Sequence, residues 1–446
     1  MESKESPNVG SLRKVITLIV IALMGGIGYP LFLYTTSIYR ADLPIDQINS
    51  YDLSTMEFKI PIHVNVPVDG NKLKHNFEQL YPDLVNNWVI ELVDEVNAKY
   101  VVNVHKDAQE AKVDTNGRTI DISLRSQDDL NTSIQQALFE QVFKNELDKL
   151  VSLKRGQSTS DISFAYSDKY NLVFSLLVED GKKINWQIEQ ALAEFESVLV
   201  YLRNITSFSI TTQIQYYSNL KGIYPDGVIT QDDLTTFVDF GGWNLVNLDI
   251  EPTINFVTFI PKQPLSIANS DSNSFLISQW GGFKIYNRGL PSMPDATLTV
   301  DELIPIINIF ANQLLQLLGL PQGDFQSLSI KLDSLQRVLV YKNLQNSIDN
   351  LKSLVKLSQS LKDITVPEET RQEVIYSLEQ VDEAIKTKSV TAAAKAVSAS
   401  NKAFFEKEMV QQAYFPSEHK LAVFLPLLGP ISSIVIFNTI KLIKGR

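Results

Sequence analysis

The 446-residue chain predicts an α/β domain with a mixed sheet plus a helical region, flanked by one transmembrane helix at each end. Three observations carry that fold class. Period-two hydrophobic segments alternate with helical patterns between residues 58 and 280. After residue 294 the apolar residues recur at three and four, and an uncharged apolar run stands near each terminus.

The first run, residues 15–39, follows Arg13 and Lys14 and contains no charge. Crossing about 30 Å of hydrocarbon takes roughly 20 apolar residues, so this run suffices. A cleaved signal peptide competes with that reading, but an apolar signal core of about 7–15 residues is shorter. The second run, residues 421–440, is closed by Lys441, Lys444 and Arg446. Positive residues outside both runs put both termini in the cytoplasm and residues 40–420 on the far side of the membrane. In a eukaryotic chain that side is the lumen of the endoplasmic reticulum or beyond. The expected division is a tail at 1–14, a span at 15–39, a luminal α/β domain at 40–294, a luminal helical region at 295–420, a span at 421–440 and a tail at 441–446.

Two glycosylation sequons, headed by Asn131 and Asn204, fall in the far-side segment. Asn131 also reads as an N-cap for the helical pattern behind it. Gly25, Gly26, Gly28 and Pro30 interrupt the first run; Pro426, Gly429 and Pro430 interrupt the second. Such residues kink membrane helices, and small ones also let a neighbour approach closely. Gly429, with the hydrogen-bonding Ser432, Ser433 and Asn438, is the candidate packing set.

Between the spans the elements read in order. Residues 58–66 alternate strictly and form a strand, with Pro61 implying an edge position. Residues 87–98 carry a helical pattern, 99–106 and 118–124 strands, and 133–143 a helix. Strand 171–178, helix 185–202 and strands at 208–217, 254–261 and 274–280 follow. The helical region begins with an amphipathic stretch from Leu303 to Leu318 that stops at Gly319 and Pro321. Further stripes run through Leu344 to Val355, Val374 to Ile385 behind Pro367, and an Ala-rich stretch at 391–405. No internal repeat appears.

Composition excludes several classes of function. A net charge of −11 argues against nucleic acid, whose phosphates need clustered Lys and Arg. The chain has no cysteine, which removes disulfides, thiolate nucleophiles and cysteine-ligated metal sites. Of the four histidines, His63, His75, His105 and His419, none lies three or four residues from another, so no zinc-hydrolase helix is present. P-loop, dinucleotide and nucleophile-elbow motifs are missing too, and no cofactor is expected. The pairs Asp128-Asp129 and Asp232-Asp233 sit at turns or helix starts as solvated or capping groups. A pair of glycosidase carboxylates is not readable from one sequence, so that chemistry stays open.

The stretch WGGFKIYN, residues 280–287, resembles the Trp-Gly-Gly-x-x-x-Tyr-Asn signature of the PIG-S family, a subunit of the GPI transamidase complex. Residues 35–48 resemble the family's Tyr-Arg-x-x-Leu-Pro segment after the first span, and 303–320 the helix behind Trp-Gly-Gly. Residues 403–431 resemble its Phe-Phe to Tyr-Phe-Pro entry into the last span. The resemblance implies a non-catalytic, two-pass glycoprotein of the endoplasmic reticulum membrane, needed for attaching GPI anchors to proproteins. The implied partners are the caspase-like PIG-K, which carries the catalytic cysteine, with PIG-T, PIG-U and the metallopeptidase-like GPI attachment subunit. A membrane-anchored luminal hydrolase and a luminal peptide-binding or chaperone protein are the alternatives. Trp280, Gly281, Gly282, Tyr286 and Asn287 read as a sheet bend, a subunit interface or a ligand contact.

Overall fold

The computed structural model describes the chain except residues 1–6, 29, 31–33, 35–38, 107, 127–128, 157–162, 165–166, 168, 204, 220–221, 223, 225, 231, 239–242, 244, 246–250, 289–295, 320–325, 362–363, 408, 410–425, 427–428, 430–432, 434, 438 and 441–446. Two compact units result, one of Asp52–Gln345 with Gln380–Lys395, the other of Met1–Tyr51, Asn346–Glu379 and Ala396–Arg446.

The larger unit is α/β and holds two mixed five-stranded sheets. The first is built from β1 (Phe58–Val64), β2 (Trp88–Leu92), β3 (Tyr100–His105), β4 (Lys112–Asn116) and β5 (Thr119–Ser123), in the order β2-β1-β3-β5-β4. Only the β4–β5 hairpin is antiparallel. Gly117, at φ +57°, opens its two-residue turn, where a side chain would be strained. The helix Gly70–Leu80 crosses from β1 to β2, capped by Asp69, whose carboxylate accepts from Asn71 N (3.0 Å) and Lys72 N (3.3 Å). It buries Leu73 and Phe77, one turn apart.

The second sheet uses β6 (Lys169–Val178), β8 (Ser207–Tyr216), β10 (Thr253–Ile260), β12 (Ser274–Ile277) and β13 (Gly281–Ile285), ordered β12-β13-β10-β6-β8. Two short parallel pairs stand beside it, β7 (Ile184–Trp186) with β14 (Ala296–Leu298), and β9 (Val228–Ile229) with β11 (Ser266–Ile267). β10 is central and buried along nearly its whole length, as a strand covered on both faces must be. On one face Phe174 and Phe256 meet Phe195 of helix Ile188–Leu202 and Phe310 of helix Val300–Leu317. On the other, Phe259 and Phe283 pack against Phe237 and Trp243.

The smaller unit is helical. Its core joins Ala41, Leu43 and Ile48 near the N-terminus to Leu351, Leu354, Val374, Leu378 and Ala403 far along the chain. Backbone bonds tie the two ends: Ala41 N donates to Val366 O (2.8 Å) and Val366 N to Tyr39 O (3.1 Å). Ser347 Oγ and Ser377 Oγ lie 3.0 Å apart, a contact that small side chains on neighbouring helices permit.

Three expectations are corrected. Residues 87–98 form no α-helix: Trp88–Leu92 is β2, paired with β1, and a 3₁₀ turn Glu95–Asn97 follows. The run WVIEL is aromatic and β-branched, which a pleated, half-buried position favours over a helix. Pro61 stands in an internal strand, because β1 has β2 on one side and β3 on the other. It is tolerated there because its nitrogen points toward β3 before that ladder starts at Ile62, while its carbonyl accepts from Lys99 N (2.9 Å). The N-cap of helix Leu130–Gln135 is Asp129, which accepts from Thr132 N (2.9 Å); Asn131 lies inside the helix.

Among the described residues no helix is long and apolar enough to cross a membrane. Within the first expected span the α-helix Pro7–Leu23 runs into a π-turn, Met24–Gly28, and most of residues 29–38 lie outside the described residues. Of the second, only 426, 429, 433, 435–437, 439 and 440 are described, all helical.

Candidate functional site

Beneath the first sheet lies a buried charge network assembled from five elements of the larger unit. Glu146, on helix Lys144–Lys154, is fully buried, and Arg337, on helix Leu328–Ser360, nearly so. The guanidinium grips the carboxylate through two parallel bonds, Nε to Oε1 and Nη2 to Oε2, both 2.6 Å. Trp88 of β2 donates its indole N–H to Glu146 Oε1 (2.9 Å), and Arg337 Nη1 donates to the Tyr100 hydroxyl (3.0 Å). That hydroxyl donates to Asp333 Oδ2 (3.1 Å), one turn from Arg337. Asp333 also takes Arg118 Nε (2.7 Å) and Nη2 (3.1 Å) from the β4–β5 turn, and Lys99 Nζ (3.1 Å).

Burial would raise the Asp333 carboxyl, but hydrogen bonds from Arg118 and Lys99 and their charges outweigh it and hold the group below its ordinary value. Burial pushes the Tyr100 hydroxyl up and lowers Lys99, the latter partly offset by Asp333. Three cations and two carboxylates are therefore mutually satisfied, with no nucleophile among them and no open acceptor aimed at a reacting atom. The arrangement fixes β2, β3 and the hairpin on two helices; its chemistry is that of a brace.

Trp88 also forms one wall of an apolar cavity of about 250 Å³ at the β2 edge. Phe77 stacks on its indole at 5.3 Å between centroids, and Phe139 and Leu92 add further walls. The brace below thus fixes the cavity's largest side chain.

The predicted signature residues meet at the other sheet. Trp280 closes the turn between β12 and β13 and packs part-buried against the aromatic cluster on that face. Gly281 has φ +157°, and a Cβ there would collide with the carbonyl oxygen of Asn255 on β10. A Cβ on Gly282 would meet the side-chain oxygen of Gln313, on helix Val300–Leu317. Gly281 is therefore required by the close approach of the neighbouring strand's backbone, whereas a side chain at Gly282 would have to push aside the Gln313 amide. Tyr286 donates to Glu302 (3.2 Å). Asn287 holds Leu265 at both backbone groups, accepting from its N–H (3.0 Å) and donating to its carbonyl (2.7 Å). Three side chains, Trp280, Tyr286 and Asn287, and two glycines that lack one thus hold the hairpin in place.

Asn131 is part-exposed and accepts from Asp69 N (3.4 Å), while Asn204 lies outside the described residues. Gly429 and Ser433 are helical; Ser432 and Asn438 lie outside the described residues.

A family model described as phosphatidylinositol-glycan biosynthesis class S protein, PIG-S, matches residues 19–446. The chain belongs to the PIG-S family. It is 28% identical over 497 residues to GPI transamidase component GPI17 of Saccharomyces cerevisiae, covering 98% of this chain and 93% of that one. It is 29% identical over 454 residues to the GPI transamidase component PIG-S homolog of Schizosaccharomyces pombe, with 93% and 81% covered. Against the GPI-anchor transamidase component PIGS of Mus musculus the identity is 23% over 539 residues, with 97% and 95% covered. The PIG-S match thus takes in both sheets, the charge network and the Trp-Gly-Gly hairpin. Sequence reasoning found the hairpin through its paired glycines. It missed Glu146 and Arg337, for nothing in the spacing of residues 191 apart signals a contact.

Proposed function

We infer that this chain is a component of GPI transamidase and serves it without supplying the reacting group. The observation that carries this is the family match over residues 19–446 together with relatives named as transamidase components. The lack of any cysteine supports the second half, since a thiol acyl carrier must then stand on another chain. The carboxylates of the buried network are committed to Arg337, Arg118 and Lys99, which leaves them no part in hydrolysis. The partners are the caspase-like PIG-K, PIG-T, PIG-U and the metallopeptidase-like attachment subunit, in the endoplasmic reticulum membrane.

Two spans, at 15–39 and 421–440, anchor residues 40–420 in the lumen under this reading. Support comes from the first helix, where Val15, Ile16, Leu18, Ile19, Leu23 and Ile27 are each more than half exposed. Those positions cover one half of the helix and its π-turn, and Val20 and Ile21, also exposed, carry the apolar surface most of the way round. A helix apolar on nearly all sides belongs in a core or a bilayer. Gly429, Ser432, Ser433 and Asn438 then face neighbouring helices, and Asn131 and Asn204 accept glycan.

Depletion of the chain tests the reading. Proproteins with uncleaved C-terminal signals should accumulate beside complete GPI lipid, and protease added to sealed microsomes should spare residues 40–420 of the undepleted chain. Unchanged surface levels of GPI-anchored proteins after depletion would overturn it.

A further inference from the structure

The two large sheets end in four edge strands, and three of them are guarded in the usual ways. β2 has five residues and carries Glu91, β4 has five and carries Lys112 and Asp114, and β12 has four. β8 is different. It runs for ten residues, SFSITTQIQY, with no charge, proline or glycine, and among the described residues it pairs with β6 alone. Its side chains are exposed or half-buried throughout, with Ser207, Thr211 and Thr212 exposed. A long, straight, uncharged edge is what single-chain proteins avoid, because its free backbone groups recruit another strand.

The phase of the ladder identifies those groups. Asn171 N donates to Pro252 O (3.0 Å), so the odd residues of β6 face β10 and the even ones face β8. On β8 the odd residues return those bonds, and the N–H and C=O of Phe208, Ile210, Thr212 and Ile214 point outward. Their repeat of about 6.6 Å matches extended polypeptide and nothing smaller. The side chains beside them offer hydroxyl, amide and aliphatic contacts without a charge to pair, so a charged strand would lose its solvation uncompensated.

We propose that the outer edge of β8 is a docking site for one uncharged extended strand contributed by another transamidase component, which becomes the sixth strand of the second sheet. The proposal rests on the reading of this chain as a subunit of that assembly.

The test uses the full chain in native membranes. A photoreactive benzoylphenylalanine replaces Thr212, and the cross-linked peptide is sequenced after solubilisation in mild detergent. An uncharged segment of another transamidase component is the expected product; a cross-link to a second copy of this chain, or none, overturns the proposal. In parallel, Thr212→Pro deletes one outward N–H and leaves the β6 ladder intact. Its thermal unfolding should match the unaltered chain while co-purification of the cross-linked component falls about tenfold, the change that about 1.4 kcal/mol produces. Equal recovery overturns the proposal; if the proline variant does not fold, the cross-link decides alone. Should the unaltered chain recover no transamidase component at all, the functional reading itself fails. Recovery of the components with no cross-link removes the edge alone.

Discussion

Glu146→Ala is the perturbation that bears hardest on the buried network. It leaves the Arg337 guanidinium beside the Tyr100 and Phe143 rings with its opposing charge gone, where side-chain exposure is 9% for Arg337 and 0% for Glu146. Two charge-assisted bonds and the Trp88 bond disappear together. Breaking one partner of such a pair costs about 3–5 kcal/mol, because the survivor stays charged and unsolvated. At ~2 °C per kcal/mol, the low end for a large domain, the melting temperature should fall by about 6–10 °C. Circular dichroism of the detergent-solubilised chain follows the loss, and tryptophan fluorescence should change with it as Trp88 is freed. The companion variant carries Glu146→Leu and Arg337→Met, replacing the whole pair by apolar groups of similar volume; it should recover most of the loss, within about 1–2 kcal/mol of the original chain. A double variant as unstable as the single would refute the reasoning, since the cost would then lie in packing. A single variant that melts like the original would refute the pairing itself.

The remaining predictions concern the same unit. The Asp333 carboxyl is depressed in the fold, so its contribution is complete above the unfolded value of about 3.9 and is lost as the pH falls through the lower folded value. Melting temperature recorded from about pH 5 to 2 should therefore drop most steeply below about pH 4, and Asp333→Asn should flatten that slope; parallel curves would exclude Asp333 as its source. Gly281→Ala forces a side chain against the Asn255 carbonyl at φ +157° and should lower stability by about 1–3 kcal/mol, read as a shift of the urea midpoint, with an unshifted midpoint counting against the close approach.

The parts of the fold legible in the sequence are those where one periodicity holds for most of an element. Strands β3, β6, β8 and β10 and helices Ile188–Leu202 and Glu368–Thr387 fall within a few residues of their patterns. WVIEL is ambiguous because a run of five residues fits little more than one helix turn as well as it fits a strand, and only the pairing with Phe58–Val64 decides. The first half of helix Leu328–Ser360 carries Asp333 and Arg337 on its inward side, which breaks the apolar stripe that would announce it. The signature glycines were visible, but their reason was not: it lies in Asn255 and Gln313, each about 30 residues away.

The smaller unit has a consequence for how the chain is made. Its core needs Ala41, Leu43 and Ile48 from one end and Leu351 to Ala403 from the other. Roughly 300 residues must be translated in between, about 15–60 s at 5–20 residues per second. Throughout that interval the N-terminal segment has none of its C-terminal core neighbours, while β1 to β14 emerge one after another. Ribosome pausing late in the message would lengthen the wait, and a premature stop before residue 351 would deny residues 41–48 their packing for good.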